Sequence, residues 1–218
     1  MNRRAAFVVL EGPEGAGKST QAARLAARLR ARGHDVLETR EPGGSPPGER
    51  IRTLLLDPDV EVGAEAEFLL YAAARAEHVR TRVRPALEAG RTVVCDRFAA
   101  SSVVYQGHAR GLNVAWIRSV NAIATGGLTP DATVLLDLPA DVGLARAARR
   151  GAPDRLEAGG AAFHARVRDG FLTEAARAGD WIVVDAAASE DAVADAVWAG
   201  LAGVLDEAAA DARAPGSP

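Results

Sequence analysis

The stretch from Phe7 to Thr20 constrains the fold of this chain more than any other part of its sequence. It opens with an apolar run, Phe7–Leu10, which is too short for a helix and is typical of a buried strand. The pattern G-x-x-x-x-G-K-S follows directly, from Gly12 to Ser19. Residues 21–29 are then rich in helix formers. A strand, a glycine-rich loop and a helix in this order predict a phosphate-binding loop.

Triphosphate binding requires residues of these types in this order. Glycines let the backbone wrap around phosphates, and successive N–H groups form an anion-binding nest beside the positive end of the helix. Lys18 would hold the terminal phosphates, and Ser19 would offer a hydroxyl to Mg²⁺. The alternative is a glycine-rich turn without a ligand, but the flanking strand and helix favour a nucleotide site. The predicted ATP-binding residues are Gly12, Pro13, Glu14, Gly15, Ala16, Gly17, Lys18, Ser19 and Thr20.

Lys18 is the only lysine in the chain, and every other strongly basic side chain is arginine. An ammonium on a thin stem can reach between phosphates where a planar guanidinium would fit poorly. A general bias toward arginine explains the other positions but not this exception. The exception therefore supports a phosphate-contacting role for Lys18.

At 218 residues the chain is expected to form one domain, residues 1–210, followed by a disordered tail at 211–218. Its net charge of −3 gives no reason to expect binding to a nucleic acid polymer or an anionic membrane. No stretch is long enough to span a membrane. Cys95 is the only cysteine and ends an apolar run, so we expect a buried structural thiol and a reducing, cytoplasmic location.

Strand-like runs alternate with helical patterns along most of the chain. This alternation predicts an α/β fold, with a five-stranded parallel sheet flanked by helices on both faces. The predicted strands are Phe7–Leu10, Val36–Thr39, Thr92–Cys95, Thr133–Asp137 and Trp181–Val184.

Arg40 and Glu41 follow the second predicted strand and precede a Pro-Gly-Gly loop. Ligands bind at the carboxyl ends of strands in open α/β sheets, so both side chains could reach a substrate. An ordinary charged loop explains the same residues equally well.

Tyr71 and Arg75 lie one turn apart in a long helical segment, residues 65–88, which we expect to be interrupted near Pro85. The pair could hold a planar base by stacking and edge hydrogen bonding. The spacing by itself favours the alternative, a core aromatic beside a surface arginine.

Asp96 and Arg97 follow the third predicted strand and would face the phosphate loop across the carboxyl edge of the sheet. Asp96 could serve Mg²⁺, directly or through water. Arg97 could bind a second phosphate with two parallel hydrogen bonds. The dipeptide carries little information by itself, but its place beside a phosphate loop favours the functional interpretation.

Several arginines lie between the fourth and fifth predicted strands. Arg146, Arg149 and Arg150 share a helix face by their spacing, and Arg155 follows a Gly/Pro break. A second glycine break follows, as expected of a mobile lid over residues 146–160. A lid could bring arginines to a phosphoryl group, whereas the alternative is a solvated, self-repelling face. The spacing does not decide between these two.

Taken together, these residues resemble the thymidylate kinases over nearly the whole chain, from about Phe7 to Trp198. Many families share the phosphate loop, but Thr-Arg-Glu-Pro-Gly-Gly together with Asp-Arg-x-x-x-Ser and Tyr-Gln-Gly is far more specific. The matching segments are Glu11–Thr20, Thr39–Gly44, Tyr71–Arg75, Asp96–Ser101, Tyr105–Gly107, Pro130–Asp131, Leu136–Asp137 and Asp154–Glu157.

This resemblance implies a P-loop NTPase fold, a cytosolic homodimer, and Mg²⁺-dependent transfer of a phosphoryl group from ATP to dTMP. It also implies that Glu14 meets the 3′-hydroxyl of dTMP, that Arg97 holds its phosphate, and that Tyr105 crowds the 2′ position. The dTMP-binding residues would be Glu14, Arg40, Tyr71, Arg75, Arg97, Ser102, Tyr105 and Gln106, with Tyr71 stacked on thymine and Arg75 and Ser102 at its edge. The catalytic residues would be Lys18, Arg97, Arg149, Arg150 and Arg155, and the metal site would comprise Ser19 and Asp96.

Two residues distinguish this chain within the family it resembles. Many relatives have phenylalanine where Tyr71 stands. Other members carry an arginine directly after the loop acid, where this chain has Gly15. The resemblance is therefore to the subgroup whose catalytic arginine comes from the lid.

Three other classes of protein could share the phosphate loop. A GTP-driven switch needs an Asn-Lys-x-Asp motif to bind guanine. This chain cannot supply that motif, because its single lysine lies in the phosphate loop. A non-catalytic nucleotide-binding module would not need Arg97 or the lid arginines. A kinase for another small molecule, such as GMP or shikimate, is the serious alternative, and only the acceptor-side motifs exclude it.

Overall fold

The computed structural model describes residues 5–149 and 159–205, and in this part of the chain five parallel strands form one sheet. The strand order is β2-β3-β1-β4-β5, so the strand before the phosphate loop is central. The strands are β1 Phe7–Glu11, β2 Val36–Arg40, β3 Thr92–Asp96, β4 Ala132–Asp137 and β5 Ile182–Asp185. The predicted fold class is confirmed, and each predicted strand agrees to within one residue at either end.

Helices cover both faces of this sheet, as predicted. The described helices are α1 Lys18–Ala31, α2 Pro46–Leu56, α3 Ala64–His78, α4 Arg84–Glu88, α5 Ala99–Ser102, α6 Val114–Thr125, α7 Ala140–Ala148, α8 Gly160–Ala178 and α9 Glu190–Gly200. β1 and β3 are buried along their whole length because both of their faces are covered. Side chains of β1 alternate between the two cores: Val8 packs with α1 and α9, whereas Val9 packs with Phe98.

The long helical segment predicted over residues 65–88 is interrupted, as expected. A wider π-helical turn, Val79–Val83, separates α3 from α4, and Pro85 lies in the first turn of α4. Proline has no N–H to donate, and its ring clashes with the carbonyl group four residues earlier, here that of Thr81. The backbone accommodates Pro85 by widening the preceding turn.

A second π-helical segment, Val103–Ala109, follows α5 directly and was not predicted. It carries Tyr105 and Gln106, and both side chains face the cleft described below. Its sequence contains no proline, so no local signal marked the change of helix type.

Three further predictions concern membrane spans, the cysteine, and the lid and tail. Every helix is too short or too polar to cross a membrane in residues 5–149 and 159–205. Cys95 is buried, as predicted, and burial raises the pKa of its thiol well above the ordinary value. Most of the predicted lid and the whole predicted tail, residues 211–218, lie outside the described residues.

Candidate active site

The phosphate loop joins β1 to α1 and has the backbone geometry that its glycines predict. Gly15 has a φ of 72°, in the left-handed region, and a Cβ there would lie only 2.2 Å from the carbonyl oxygen of Gly143 in α7. No side chain fits at this position unless α7 moves. The helix begins at Lys18, directly after Gly17, so the N–H groups of its first turn open toward the loop.

Lys18 is almost fully buried beneath the loop, with 6% of its surface exposed. Its Nζ donates a hydrogen bond of 2.7 Å to the carbonyl oxygen of Pro13. Burial lowers the pKa of the ammonium to about 8, and the positive charge of Arg97 acts in the same direction. The carboxylates of Glu14, Asp96 and Glu11 oppose this change in smaller measure. The ammonium is therefore held where additional negative charge would stabilise it.

Ser19 and Asp96 meet at the carboxyl ends of β1 and β3. The Ser19 hydroxyl donates a hydrogen bond to Oδ2 of Asp96. The other carboxylate oxygen, Oδ1, is buried and has no hydrogen-bond partner among the described residues. A buried carboxylate oxygen without a donor is costly unless a cation or a water completes it.

This pair fits Mg²⁺ held mainly by nucleotide phosphates. Mg²⁺ usually takes one or two protein oxygens, keeps waters and binds substrate phosphates. Within residues 5–149 and 159–205 no group of three or more His, Cys, Asp or Glu side chains could form an all-protein metal cage. Ser19 and Asp96 are the residues that would contact such an ion, and Asp96 Oδ1 is the oxygen left to do so.

Arg97 follows β3 with a φ of 69°, the only positive φ of a non-glycine residue in the described chain. Its guanidinium lies 3.3 Å from Oε2 of Glu14 and 3.2 Å from the hydroxyl of Tyr105. Burial by itself would lower the pKa of this guanidinium, but Tyr105 and then the Glu14 carboxylate raise it above the ordinary value. Arg97 therefore stays cationic at the same cleft as Lys18.

Arg75 is buried, with 1% of its surface exposed, so the alternative of a surface arginine is wrong. Its Nε donates to Glu41 at 2.7 Å, and its Nη1 donates to Oδ1 of Asn121 at 2.6 Å. Its Nη2 donates to the hydroxyl of Ser102 at 3.1 Å. These bonds fix the plane of the guanidinium beside Tyr71, which also lines the cleft.

The cleft that these residues share has a volume of about 260 Å³. Its described lining includes predicted residues from both substrate sides: Glu14, Gly15, Gly17, Lys18, Ser19, Thr20, Arg40, Tyr71, Arg75, Asp96, Arg97, Ser102, Tyr105 and Gln106. Arg40 lies at the rim, half exposed, in an ion pair with Glu49. Gln106 is buried and donates to Oε1 of Glu67 at 2.8 Å, which orients its amide. The structure thus brings these fourteen predicted residues together, whereas Gly12, Pro13 and Ala16 of the phosphate loop are not among the residues that line the cleft.

Arg52 and His164 are among the cleft residues that sequence reasoning missed. Arg52 of α2 donates to the carbonyl oxygen of Pro42 at 3.0 Å, and burial followed by the charge of Arg40 lowers the pKa of its guanidinium. A helix starting directly after the Pro-Gly-Gly loop was the available signal. His164 of α8 is buried and lines the cleft, but only the packing of α8 places it there.

The predicted arginine-rich lid is described only at its start. α7 ends at Ala148, and Arg149 is the residue that follows it. Arg150 and Arg155 lie outside the described residues. Arg146 donates to the carbonyl oxygen of Ala186 at 2.8 Å, beyond the end of β5. The common helix face of Arg146, Arg149 and Arg150 stays a prediction, because Arg150 lies outside the described residues.

A central strand, a phosphate loop and a second cationic side chain in one cleft define a P-loop kinase that acts on a small phosphorylated acceptor. The comparisons narrow this class. A model of the thymidylate kinase family matches residues 10–197, and the chain belongs to that family. It is a nucleoside monophosphate kinase, which phosphorylates dTMP to dTDP with ATP.

Relatives from several bacteria match over almost their full lengths. The chain is 57% identical over 196 residues to the thymidylate kinase of Deinococcus radiodurans, covering 89% of this chain and 95% of that one. It is 53% identical over 203 residues to that of Thermomicrobium roseum, covering 91% and 95%. The crystal structure of thymidylate kinase from Ehrlichia chaffeensis superposes with a TM-score of 0.74 at 30% identity, covering 90% and 98%. The predicted family, fold and enzyme class are confirmed.

Proposed function

We propose that Lys18, the loop amides and Mg²⁺ hold ATP while Arg97 holds the phosphate of dTMP in line for transfer. One observation carries this proposal. The only ammonium side chain of the sequence and the Asp96–Arg97 pair face a common cleft. Two cationic groups in one cleft suit a donor phosphate and an acceptor phosphate. Neither a GTP-driven switch nor a non-catalytic nucleotide-binding module needs the second cation.

On the donor side, residues 12–20 wrap the triphosphate, with Lys18 between the terminal phosphates. Ser19 and Asp96 contact Mg²⁺, which supplies charge neutralisation on the phosphate oxygens when it is bound. The lowered pKa of Lys18 supports this role, because a desolvated ammonium gains more from a phosphate than a solvated one does.

On the acceptor side, Arg97 binds the phosphate, and Glu14 and Tyr105 contact the sugar beside it. Burial raises the pKa of the Tyr105 phenol to about 12, so it is neutral at physiological pH and can donate a hydrogen bond. Tyr71 stacks on the base. The residues at the polar edge and rim of the base and sugar site are Arg75, Ser102, Gln106 and Arg40.

The transfer itself needs positioning and charge neutralisation more than covalent help from the protein. The attacking phosphate oxygen is already anionic near neutral pH, so no general base is required. Arg149, Arg150 and Arg155 complete the positive surroundings of the transferred group, and closure over the cleft excludes water that would hydrolyse ATP.

A panel of nucleoside monophosphates tests this assignment with a coupled ADP-release assay. We expect dUMP to show a kcat/KM about 10- to 100-fold below that of dTMP, because a methyl group contributes about 1–3 kcal/mol in an apolar pocket. We expect dCMP to react more slowly still, because its 4-amino group mispairs with the edge that Arg75 and Ser102 form. Comparable values for dCMP and dTMP would contradict those roles, and faster turnover of GMP would favour another kinase.

We expect the enzyme to act as a cytoplasmic homodimer. Leu69 of α3 and Trp116 and Ile123 of α6 are apolar side chains left 49%, 37% and 81% exposed. α3 and α6 pack against each other, so the three residues belong to neighbouring surfaces. Exposed apolar groups on adjacent helices are typical of an interface between subunits.

The substitution Ile123→Asp tests this surface. A buried charge without a partner is costly, so we expect the variant to elute as a monomer in size-exclusion chromatography with light scattering. Val183→Asp is the matched control, because Val183 is also an exposed apolar residue, 52% accessible, but lies on strand β5. A dimeric Ile123→Asp, or a wild type that is monomeric at the same concentration, would contradict the proposed interface.

A further inference from the structure

Glu11 is the last residue of β1 and lies directly before the phosphate loop, yet its carboxylate is fully buried behind the cleft. Burial raises the pKa of this carboxyl, although the hydrogen bond from Ser101 and the charge of Arg97 act in the opposite direction. Burial disfavours the charged form of the Glu11 carboxyl, so packing by itself does not explain why a carboxyl group is found there. The roles proposed above do not use it.

The carboxylate of Glu11 binds the segment that follows Arg97. Its Oε1 accepts the backbone N–H groups of Phe98 at 2.9 Å and Ser101 at 3.1 Å. Its Oε2 accepts the hydroxyl of Ser101 at 2.6 Å. α5 has no side-chain cap at its own N-terminal residue, so a carboxylate from a distant strand supplies the missing acceptor.

The residues on either side of Glu11 hold Arg97 itself. The carbonyl oxygen of Leu10 accepts the backbone N–H of Arg97 at 2.9 Å, and that of Gly12 accepts its Nη1 at 3.2 Å. The Ser101 hydroxyl also accepts from Nη1 of Arg97, at 3.3 Å, and so bridges the carboxylate and the guanidinium. A left-handed arginine costs about 1–3 kcal/mol and persists only where its surroundings hold it.

We propose that Glu11 is a positioning residue, which holds Ser101 and the backbone after Arg97 so that the Arg97 guanidinium faces the acceptor phosphate. Leu10 and Glu11 end β1 and Gly12 begins the phosphate loop, so this short segment fixes the donor and acceptor sides relative to each other. This inference rests on the proposed role of Arg97. In this arrangement Glu11 and Ser101 affect the binding of dTMP through the Arg97 guanidinium.

The test measures kcat and the KM values for dTMP and ATP separately in Glu11→Gln, Ser101→Ala and the double variant. Each single substitution should lower kcat/KM for dTMP about tenfold or more, since each removes a hydrogen bond to a charged group. KM for ATP should change by less than about threefold, since the loop amides and Lys18 remain. The double variant should lose less than the product of the two single effects, because both substitutions remove the hydrogen bond between the Ser101 hydroxyl and Glu11.

Glu174→Gln is the matched control. Glu174 is also a buried carboxylate, 2% exposed, but it accepts hydrogen bonds from His108 and Arg118, away from the cleft. It should lower the Tm and leave both KM values unchanged. Ser101→Ala keeps every charge, so it separates positioning from the electrostatic effect of losing a carboxylate, and it also serves if Glu11→Gln does not fold.

Two results would overturn the inference. Glu11→Gln and Ser101→Ala that alter only the Tm, as Glu174→Gln does, would show a purely structural carboxylate. A defect in Glu11→Gln with a normal Ser101→Ala would show that the Ser101 hydroxyl carries none of the effect, against the role proposed for that residue. Arg97→Lys in the same assay separates the two proposals. If Arg97→Lys raises KM for dTMP while Glu11→Gln does not, only this inference fails. If neither variant changes KM for dTMP, the proposed role of Arg97 fails as well.

Discussion

Replacing Lys18 by alanine should lower kcat about a thousandfold while leaving the fold intact. The ammonium is the one compact cation beneath the loop, and loss of a single transition-state contact of this kind costs about 10²–10³ in rate. Its burial lowers its pKa, so its removal also relieves a desolvation cost, and the Tm should not fall. Steady-state kinetics and thermal unfolding of Lys18→Ala and of the longer Lys18→Met would check both effects. A variant that turns over normally would refute the loop assignment.

The lowered pKa gives this prediction a pH dependence with a definite sign. Lys18 must be protonated to bind phosphate, and with its pKa at about 8 the protonated fraction in the free enzyme falls as the pH rises from 7 to 9. Binding of ATP should therefore weaken as the pH rises across this range. Near pH 8 the enzyme should take up protons when it binds ATP, because Lys18 becomes protonated. Calorimetric titration in two buffers of different ionisation enthalpy measures the uptake, and Lys18→Met should show none. Equal ATP affinity at pH 7 and 9 in the wild type would contradict the lowered pKa.

Replacing Arg97 should abolish efficient use of dTMP while sparing ATP. Loss of the guanidinium removes two charge-assisted hydrogen bonds to the acceptor phosphate, so kcat/KM for dTMP should fall about a thousandfold in Arg97→Ala. Arg97→Gly should lose as much activity but be about 1 kcal/mol more stable than Arg97→Ala, because glycine adopts the left-handed conformation without strain. Parallel kinetics and denaturant unfolding of the two variants separate the chemical role from the backbone cost.

Arg97→Ala and Arg97→Gly also test the electrostatic effect of Arg97 on Lys18. Because the charge of Arg97 contributes to the lowered pKa of Lys18, the pH at which ATP binding weakens should move upward in Arg97→Ala. Equal stability of the alanine and glycine variants would contradict the strained backbone. An unchanged KM for dTMP in both would contradict the acceptor role.

The parts of the fold that were predictable have local causes. The five strands follow from short apolar runs, and the interruption near Pro85 follows from the missing N–H of proline. The phosphate loop is a contiguous motif whose glycines fix its backbone. Its pairing with Asp96 and Arg97 could be expected because parallel strands end at one edge of a sheet.

The arrangement of the acceptor site depended on residues far apart in the chain. Spacing favoured a surface position for Arg75, but Glu41 and Asn121 come from a loop and from α6 to satisfy its guanidinium in the interior. A buried charge is tolerated only when such partners are present, and no local pattern announces them. The π-helical segment that carries Tyr105 is likewise not predicted by any local sequence pattern.

The sequence by itself determined the donor site, because a phosphate is bound by consecutive backbone amides and one adjacent lysine. Only the tertiary structure decided how the acceptor arginine is held, because the bonds that fix Arg97 come from Leu10 of β1, from Gly12, from α5 and from Tyr105. Contacts between neighbours in the chain leave a readable pattern. Contacts such as that between Glu11 and Ser101, which are 90 residues apart, exist only once the sheet has assembled.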